Sequence, residues 1–243
     1  MNATERYLFD VQGYLLVEDV LSQEELKHLN EAIDKRQEAG QPIQNFLMWE
    51  EPVFRALINH PKAKPYLSIM LGNHYRLDHE YAIIHRKGDK PLHLHGGNTP
   101  YDPGQYYHVQ NGTLFSGLTV YSFALSEIGQ NDGGFCCIPG SHKANFRVPE
   151  AFKHYEEIGP TVHIAQKPGD LLIFTEALTH GTFAWQGAHE RRSLLYKYSP
   201  LMIAWAKYTR TPELLALMTP EQKEILDPTY HPYLRQSSIY DEA

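Results

Sequence analysis

Two histidine-bearing segments and an arginine carry the residue types for metal chemistry. The first segment reads Leu92-His93-Leu94-His95-Gly96-Gly97. The second begins Gly169-Asp170-Leu171-Leu172-Ile173-Phe174 and continues Glu176-Ala177-Leu178-Thr179-His180-Gly181. Arg191 follows eleven residues after His180, with Ser193 two positions further on. Two imidazoles on separate strands, with a guanidinium on the next strand, suit a non-haem iron that holds an α-keto acid. A facial triad wants His-x-Asp/Glu, however, and the second residue after His95 is Gly97.

Alternate residues of a strand share a face. His93 and His95 therefore point the same way, into a cavity, while Leu92 and Leu94 point toward covering elements. Pro168-Gly169-Asp170 is a turn that launches an apolar strand, and that strand delivers His180. Imidazole serves iron, copper or zinc, so the histidines leave the metal open. Arg191 and Ser193 share a face and set a hydroxyl beside a two-donor fork suited to a carboxylate. Arg192 takes the other face with Leu194 and Tyr196. Whether Arg191 or Arg192 points inward rests on the register, and Glu190 is available as a surface partner for Arg191.

The elements that must position these residues divide into a helical front, an all-β middle and a helical tail. Asp10–Val17 reads as a strand. Ser22 with Glu25 forms a capping box before the helix striped by Leu26, Leu29 and Ile33, with Gly40 as its stop. Helical regions follow over 52–58 and 63–70, the last ending at Gly72. Strands are expected over 75–85, 118–125, 134–138, 162–165, 170–174 and 193–198, the spacing of a barrel or sandwich. Thr211-Pro212 and Thr219-Pro220 with Gln222 start two more helices. The connection from Gly96 to Gly117 carries Tyr101, Tyr106, Tyr107 and His108 and reads as a pocket wall or lid.

The 243 residues, 42% hydrophobic and 21% charged, suit one globular domain over 1–243. It would have N-terminal helices over about 20–72, a β core over about 75–200 and a tail over about 211–243. A net charge of −7 argues against nucleic acid or an anionic membrane as partner. The N-terminus has no apolar leader, and no run is long enough to span a membrane. Cys136 and Cys137 are adjacent and read as free thiols in a reducing, cytoplasmic setting.

In these pieces the chain resembles the phytanoyl-CoA dioxygenase family of iron(II)/2-oxoglutarate oxygenases. The matching segments are Gln12-Gly13-Tyr14-Leu15-Leu16-Val17, the His95 segment, and Asn131-Asp132-Gly133-Gly134-Phe135 through Pro139-Gly140-Ser141-His142-Lys143. Gly169–Phe174, His180-Gly181 and Arg191 complete the series. The resemblance implies a mainly β double-stranded β-helix, or jelly roll, with helices packed on one sheet. It implies iron bound at His95 and His180, and 2-oxoglutarate bound at Arg191, beside which the strand reading sets Ser193. Thr182 falls where a hydroxyl residue often meets the co-substrate, and His142 reads as structural. Oxygen is the implied oxidant and a small molecule the substrate. Nothing basic enough for a coenzyme A tail is present.

Gly97 stands where the family's hydroxylases carry Asp. A Gly here is similar to the halogenases of this chemistry, in which chloride fills the vacated position. Alternatively His93, Asp102 or Glu80 completes the site, or the protein is a non-catalytic small-molecule binder. A zinc hydrolase is a further rival; it would need a third ligand and a general base, for which Glu176 could be offered.

Overall fold

The computed structural model describes residues 1–97, 99–153 and 160–230. Asn2 caps helix α1 (Ala3–Gln12), and the Glu5 carboxylate closes a capping box back onto the Asn2 amide. This helix takes Asp10 to Gln12, where a strand is expected from sequence. Gly13 ends it in the left-handed region, so β1 keeps only Tyr14–Val17. The helix runs through Gln12 because Gly13 supplies its left-handed C-cap, with the Gly13 amide donating to the Phe9 carbonyl at 2.7 Å.

The helical layer continues with α2 (Gln23–Glu38), α3 (Val53–Ala56) and α4 (Lys64–Leu71). Ser22 and Glu25 form the expected capping box on α2. The β region then runs through β2 (Tyr75–His85), β3 (Leu92–His95), β4 (Tyr107–Gln110) and β5 (Thr113–Ser116). It continues with β6 (Thr119–Ala124), β7 (Gly134–Cys137), β8 (Val162–His163), β9 (Leu171–Thr175), β10 (His180–Phe183) and β11 (Arg191–Pro200). Helices α5 (Pro212–Ala216) and α6 (Pro220–Ile225) follow, with Thr211 and Thr219 as their caps. Residues 231–243 of the expected helical tail lie outside the described residues.

The strands form a large sheet, β1-β9-β6-β11-β2, and a small sheet, β3-β10-β7-β8. This is the jelly-roll arrangement, mainly β with helices against one sheet. Alternation sorts its side chains. Val120, Leu172, Phe174 and Leu195 meet Phe135 and Cys137 between the sheets. Tyr121, Phe123, Leu194, Tyr196 and Tyr198 face the helices. The tyrosine hydroxyls donate to backbone carbonyls of the helical layer: Tyr196 to Phe54 (2.6 Å), Tyr198 to Ile58 (2.8 Å) and Tyr121 to Ala63 (3.2 Å). Each buried hydroxyl is satisfied where the helices need an anchor. Cys136 and Cys137 alternate in the same way, with Cys136 packed against Leu94 and Cys137 between the sheets, and both are free.

The connection after Gly96 holds a second departure from expectation. β4 and β5 pair as a hairpin whose turn is Asn111-Gly112, both with positive φ. That dipeptide is a strong hairpin signal in its own right. Tyr107 is buried, with its hydroxyl on Asp10 Oδ1 (2.7 Å) and its ring edge-on to His142. Tyr101 is exposed instead. The connection does line the cleft beside His95, through Gly96, Gly97, Thr99 and Pro100, but Tyr101, Tyr106 and Tyr107 are not part of that lining.

His142 is fully buried, and its Nε2 donates to the Asp10 carbonyl at 3.0 Å. Burial pushes the imidazole down to about 4 from 6.5. The unfolded chain takes up this proton near pH 6.5, and the folded chain resists it until about pH 4. Stability from this source is therefore intact above pH 6.5 and declines between those values, by roughly 1.4 kcal/mol per pH unit. His142→Gln should flatten that part of the decline, seen by urea unfolding at pH 7 and pH 5, and should leave metal binding intact.

Candidate active site

Three metal-ligating side chains converge among the described residues: His95, Glu176 and His180, with one ligand atom from each lying within 4.8 Å of the others. The histidines are orthodox. β3 and β10 pair antiparallel and set His95 opposite His180, with ring centroids 4.3 Å apart. His95 Nδ1 donates to the His93 carbonyl at 2.9 Å, and His180 Nδ1 donates to the Leu178 carbonyl at 2.7 Å. A carbonyl can only accept, so both protons sit on Nδ1 and both Nε2 lone pairs are free to ligate. Burial holds His180 down at about 4, with His95 adding to the shift and Glu176 opposing it, so the ring is neutral.

Glu176 is the carboxylate. It lies in the turn between β9 and β10, whose amides are tied down: Glu176 N–H to the Leu118 carbonyl (2.9 Å) and Thr179 N–H to Ser141 Oγ (2.8 Å). The side chain is 3% exposed as a residue, and Oε2 stands 4.0 Å from His180 Nε2. Oε1 is 2.6 Å from Lys197 Nζ. Burial raises a carboxyl, but with the Lys197 ammonium against it Glu176 is held below the ordinary range. Sequence reading offers Glu176 only as a hydrolase base. The i,i+4 spacing to His180 was visible, yet in a strand–turn–strand segment that spacing does not by itself imply convergence.

Gly96 explains the approach of β3 to this turn. It has φ +76°, and a Cβ there would fall 2.7 Å from the Glu176 carbonyl oxygen and 2.8 Å from that of Leu178. Gly97 is similarly constrained, with φ +101° and Thr179 Oγ1 3.1 Å from the Cβ site. A carboxylate at 97 would be strained.

The other candidates for a third ligand lie elsewhere. Glu80 pairs in register with Tyr196, whose ring faces the helices, and burial raises its carboxyl to about 7. Asp102 accepts from the Gly104 amide at 2.7 Å. His93 borders the cleft, but β3 carries an extra residue between its pairings with His180 and Thr182, so strict alternation between His93 and His95 breaks there.

Arg191 turns inward and is 2% exposed. Its Nε and Nη1, and the buried Ser193 Oγ, have no hydrogen-bond partner among the described residues. Burial pulls the guanidinium down to about 10. Glu190 pairs with Arg192 and Arg86, not with Arg191. Arg192 reaches out to Asp34, Asn30 and Gln37 of α2. Thr182 is buried, and its Oγ1 accepts from the Leu92 amide at 2.9 Å. Unpaired inward donors of this kind fit the carboxylate of a bound acid.

A cleft of about 470 Å³ opens beside His95. One wall is β3 through Thr99 and Pro100, and the other is the 144–150 segment with Phe146, Arg147 and Glu150. Phe146 is 86% exposed.

The family model for phytanoyl-CoA dioxygenase matches residues 9–193. Comparison with curated proteins finds no match. Among solved structures, HygX from Streptomyces hygroscopicus with nickel and 2-oxoglutarate bound is similar, with a TM-score of 0.77 and 23% identity over 88% of this chain and 94% of that one. HygX with nickel, 2-oxoglutarate and hygromycin B gives 0.76 at 23% identity, over 88% and 94%. The carbocyclase SnoK from nogalamycin biosynthesis gives 0.63 at 17% identity, over 83% and 85%.

Proposed function

Because this chain belongs to the phytanoyl-CoA dioxygenase family, we propose that it is an iron(II)- and 2-oxoglutarate-dependent dioxygenase that hydroxylates an unactivated C–H bond of a small molecule. The convergence of His95, Glu176 and His180 carries this reading. Two imidazoles and one carboxylate form a two-histidine, one-carboxylate donor set, which suits non-haem iron and leaves positions open. HygX, which binds 2-oxoglutarate and hygromycin B, supports the co-substrate and the small-molecule class.

His95, Glu176 and His180 would hold the iron. Arg191 would take the far carboxylate of 2-oxoglutarate on Nε and Nη1, with Ser193 Oγ donating beside it. Thr182 stands on the facing sheet, paired with Phe135, which packs between the two sheets. The iron and its co-substrate supply the oxidising power. The protein orients the two acids, keeps both histidines in one tautomer through the His93 and Leu178 carbonyls, and excludes water around Arg191. The cleft beside His95 would receive the substrate. Its mixture of Phe146 with Arg147, Glu150 and His93 fits a molecule with both an apolar face and hydrogen-bonding groups.

Glu176 favours hydroxylation over halogenation, since it offers the negative ligand that chloride would otherwise provide. Anaerobic titration with iron(II) and 2-oxoglutarate should produce a weak visible charge-transfer band. Added chloride should leave that band unchanged. A halide-dependent shift in the native protein would favour the halogenase reading, and no band under any loading would leave a non-catalytic binder.

A further inference from the structure

Lys197 lies on the inward face of β11, in strand alternation with Arg191, Ser193 and Leu195. Its side chain is 12% exposed and stands over the Tyr81 ring, with Nζ 5.3 Å from the centroid. Nζ is 2.6 Å from Glu176 Oε1, while Oε2 of the same carboxylate turns toward His180. An ammonium buried beside a cation site is costly, because the two positive charges repel. The leucine two residues earlier shows that an apolar side chain fills this face without that cost. What Lys197 adds is a hold on one carboxylate oxygen.

Resting on the reading of Glu176 as a metal ligand, we infer that Lys197 is a positioning residue. It reserves Oε1, so that the metal takes Oε2 alone and keeps a position open for the co-substrate. Without Lys197 both oxygens are free, and a carboxylate can chelate with the pair. That closes a position that the two donor oxygens of a keto acid need. Lys197 and the metal also draw on the same negative charge. Removing the ammonium therefore strengthens the pull of Glu176 on the metal while weakening co-substrate binding. A lysine with only a structural role would not separate these two effects.

The test uses cobalt(II) as the probe, whose visible absorption weakens as its coordination number rises. Native protein, Lys197→Met, Lys197→Arg and Glu176→Gln are titrated anaerobically with cobalt(II), then with 2-oxoglutarate by calorimetry. Lys197→Met should bind cobalt at least as tightly as native protein, with a weaker visible spectrum. Its 2-oxoglutarate affinity should fall roughly ten- to hundredfold, the usual scale for a partner that orients a metal ligand. Lys197→Arg, which keeps a cationic donor, should restore most of that loss. A Lys197→Met protein with native spectrum and native 2-oxoglutarate affinity overturns the inference, and so does joint loss of cobalt and fold. If Glu176→Gln binds cobalt as native protein does, the ligand assignment itself fails and the inference goes with it.

Discussion

Glu176→Gln is expected to weaken iron(II) binding by on the order of 100-fold, equivalent to about 3 kcal/mol. The substitution keeps the shape of the side chain and removes its charge from a site that is 3% exposed. It also leaves the Lys197 ammonium buried opposite a neutral amide, where the paired geometry now has Nζ 2.6 Å from Oε1. Breaking one side of a buried pair costs about 3–5 kcal/mol. In a chain of this size that lowers the melting temperature by on the order of 10 °C. The two effects separate in the double variant Glu176→Gln with Lys197→Met, which removes the orphaned charge. Its metal-free melting temperature should recover while its metal affinity does not. Calorimetric iron titration and thermal unfolding of the apoprotein read the two directly. Native metal affinity in Glu176→Gln would refute the ligand role.

Arg191→Met should lower 2-oxoglutarate affinity roughly ten- to hundredfold, matching about 1.5–3 kcal/mol for a charge-assisted contact. The structure adds a second expectation of opposite sign. Arg191 is buried with Nε and Nη1 unpaired, so the co-substrate-free protein bears the cost of desolvating them. The methionine variant should therefore melt no lower than native protein without 2-oxoglutarate. The rise in melting temperature that 2-oxoglutarate gives the iron-loaded native protein should disappear. Arg191→Lys should rescue only part of the affinity, because an ammonium cannot present the fork. Arg192→Ala should do the reverse, loosening α2 through Asp34 and Asn30 with co-substrate affinity unchanged. A co-substrate defect in Arg192→Ala alone would place the binding face on the other side of β11.

Much of the architecture is legible from local pattern. The capping box at Ser22, the β2 span over Tyr75–His85 and the short strands between turns all rest on neighbours within a few residues. Two further local signals lie in the chain: the Asn2–Glu5 capping box that makes α1, and the Asn111-Gly112 turn that makes the β4–β5 hairpin. The Gly96–Gly117 connection looks structureless only when that turn is overlooked.

The facing of Arg191, Ser193 and Lys197 is a property of the sequence alone once β11 is a strand, because side chains alternate at every step. Which face is inward was decided by the tertiary structure, through Arg192 reaching the acids and amides of α2. The convergence of Glu176 with the histidines was decided there too. Glu176 and His95 are eighty-one positions apart in the chain. They meet because β3 pairs with β10 and because Gly96 lets the backbone pass against the turn that holds Glu176. A motif written along one strand would have placed the carboxylate at position 97, where glycine stands. The carboxylate that converges with the histidines is Glu176, across the gap, because which side chains can share a metal depends on where their ligand atoms meet in space and not on their order in the chain.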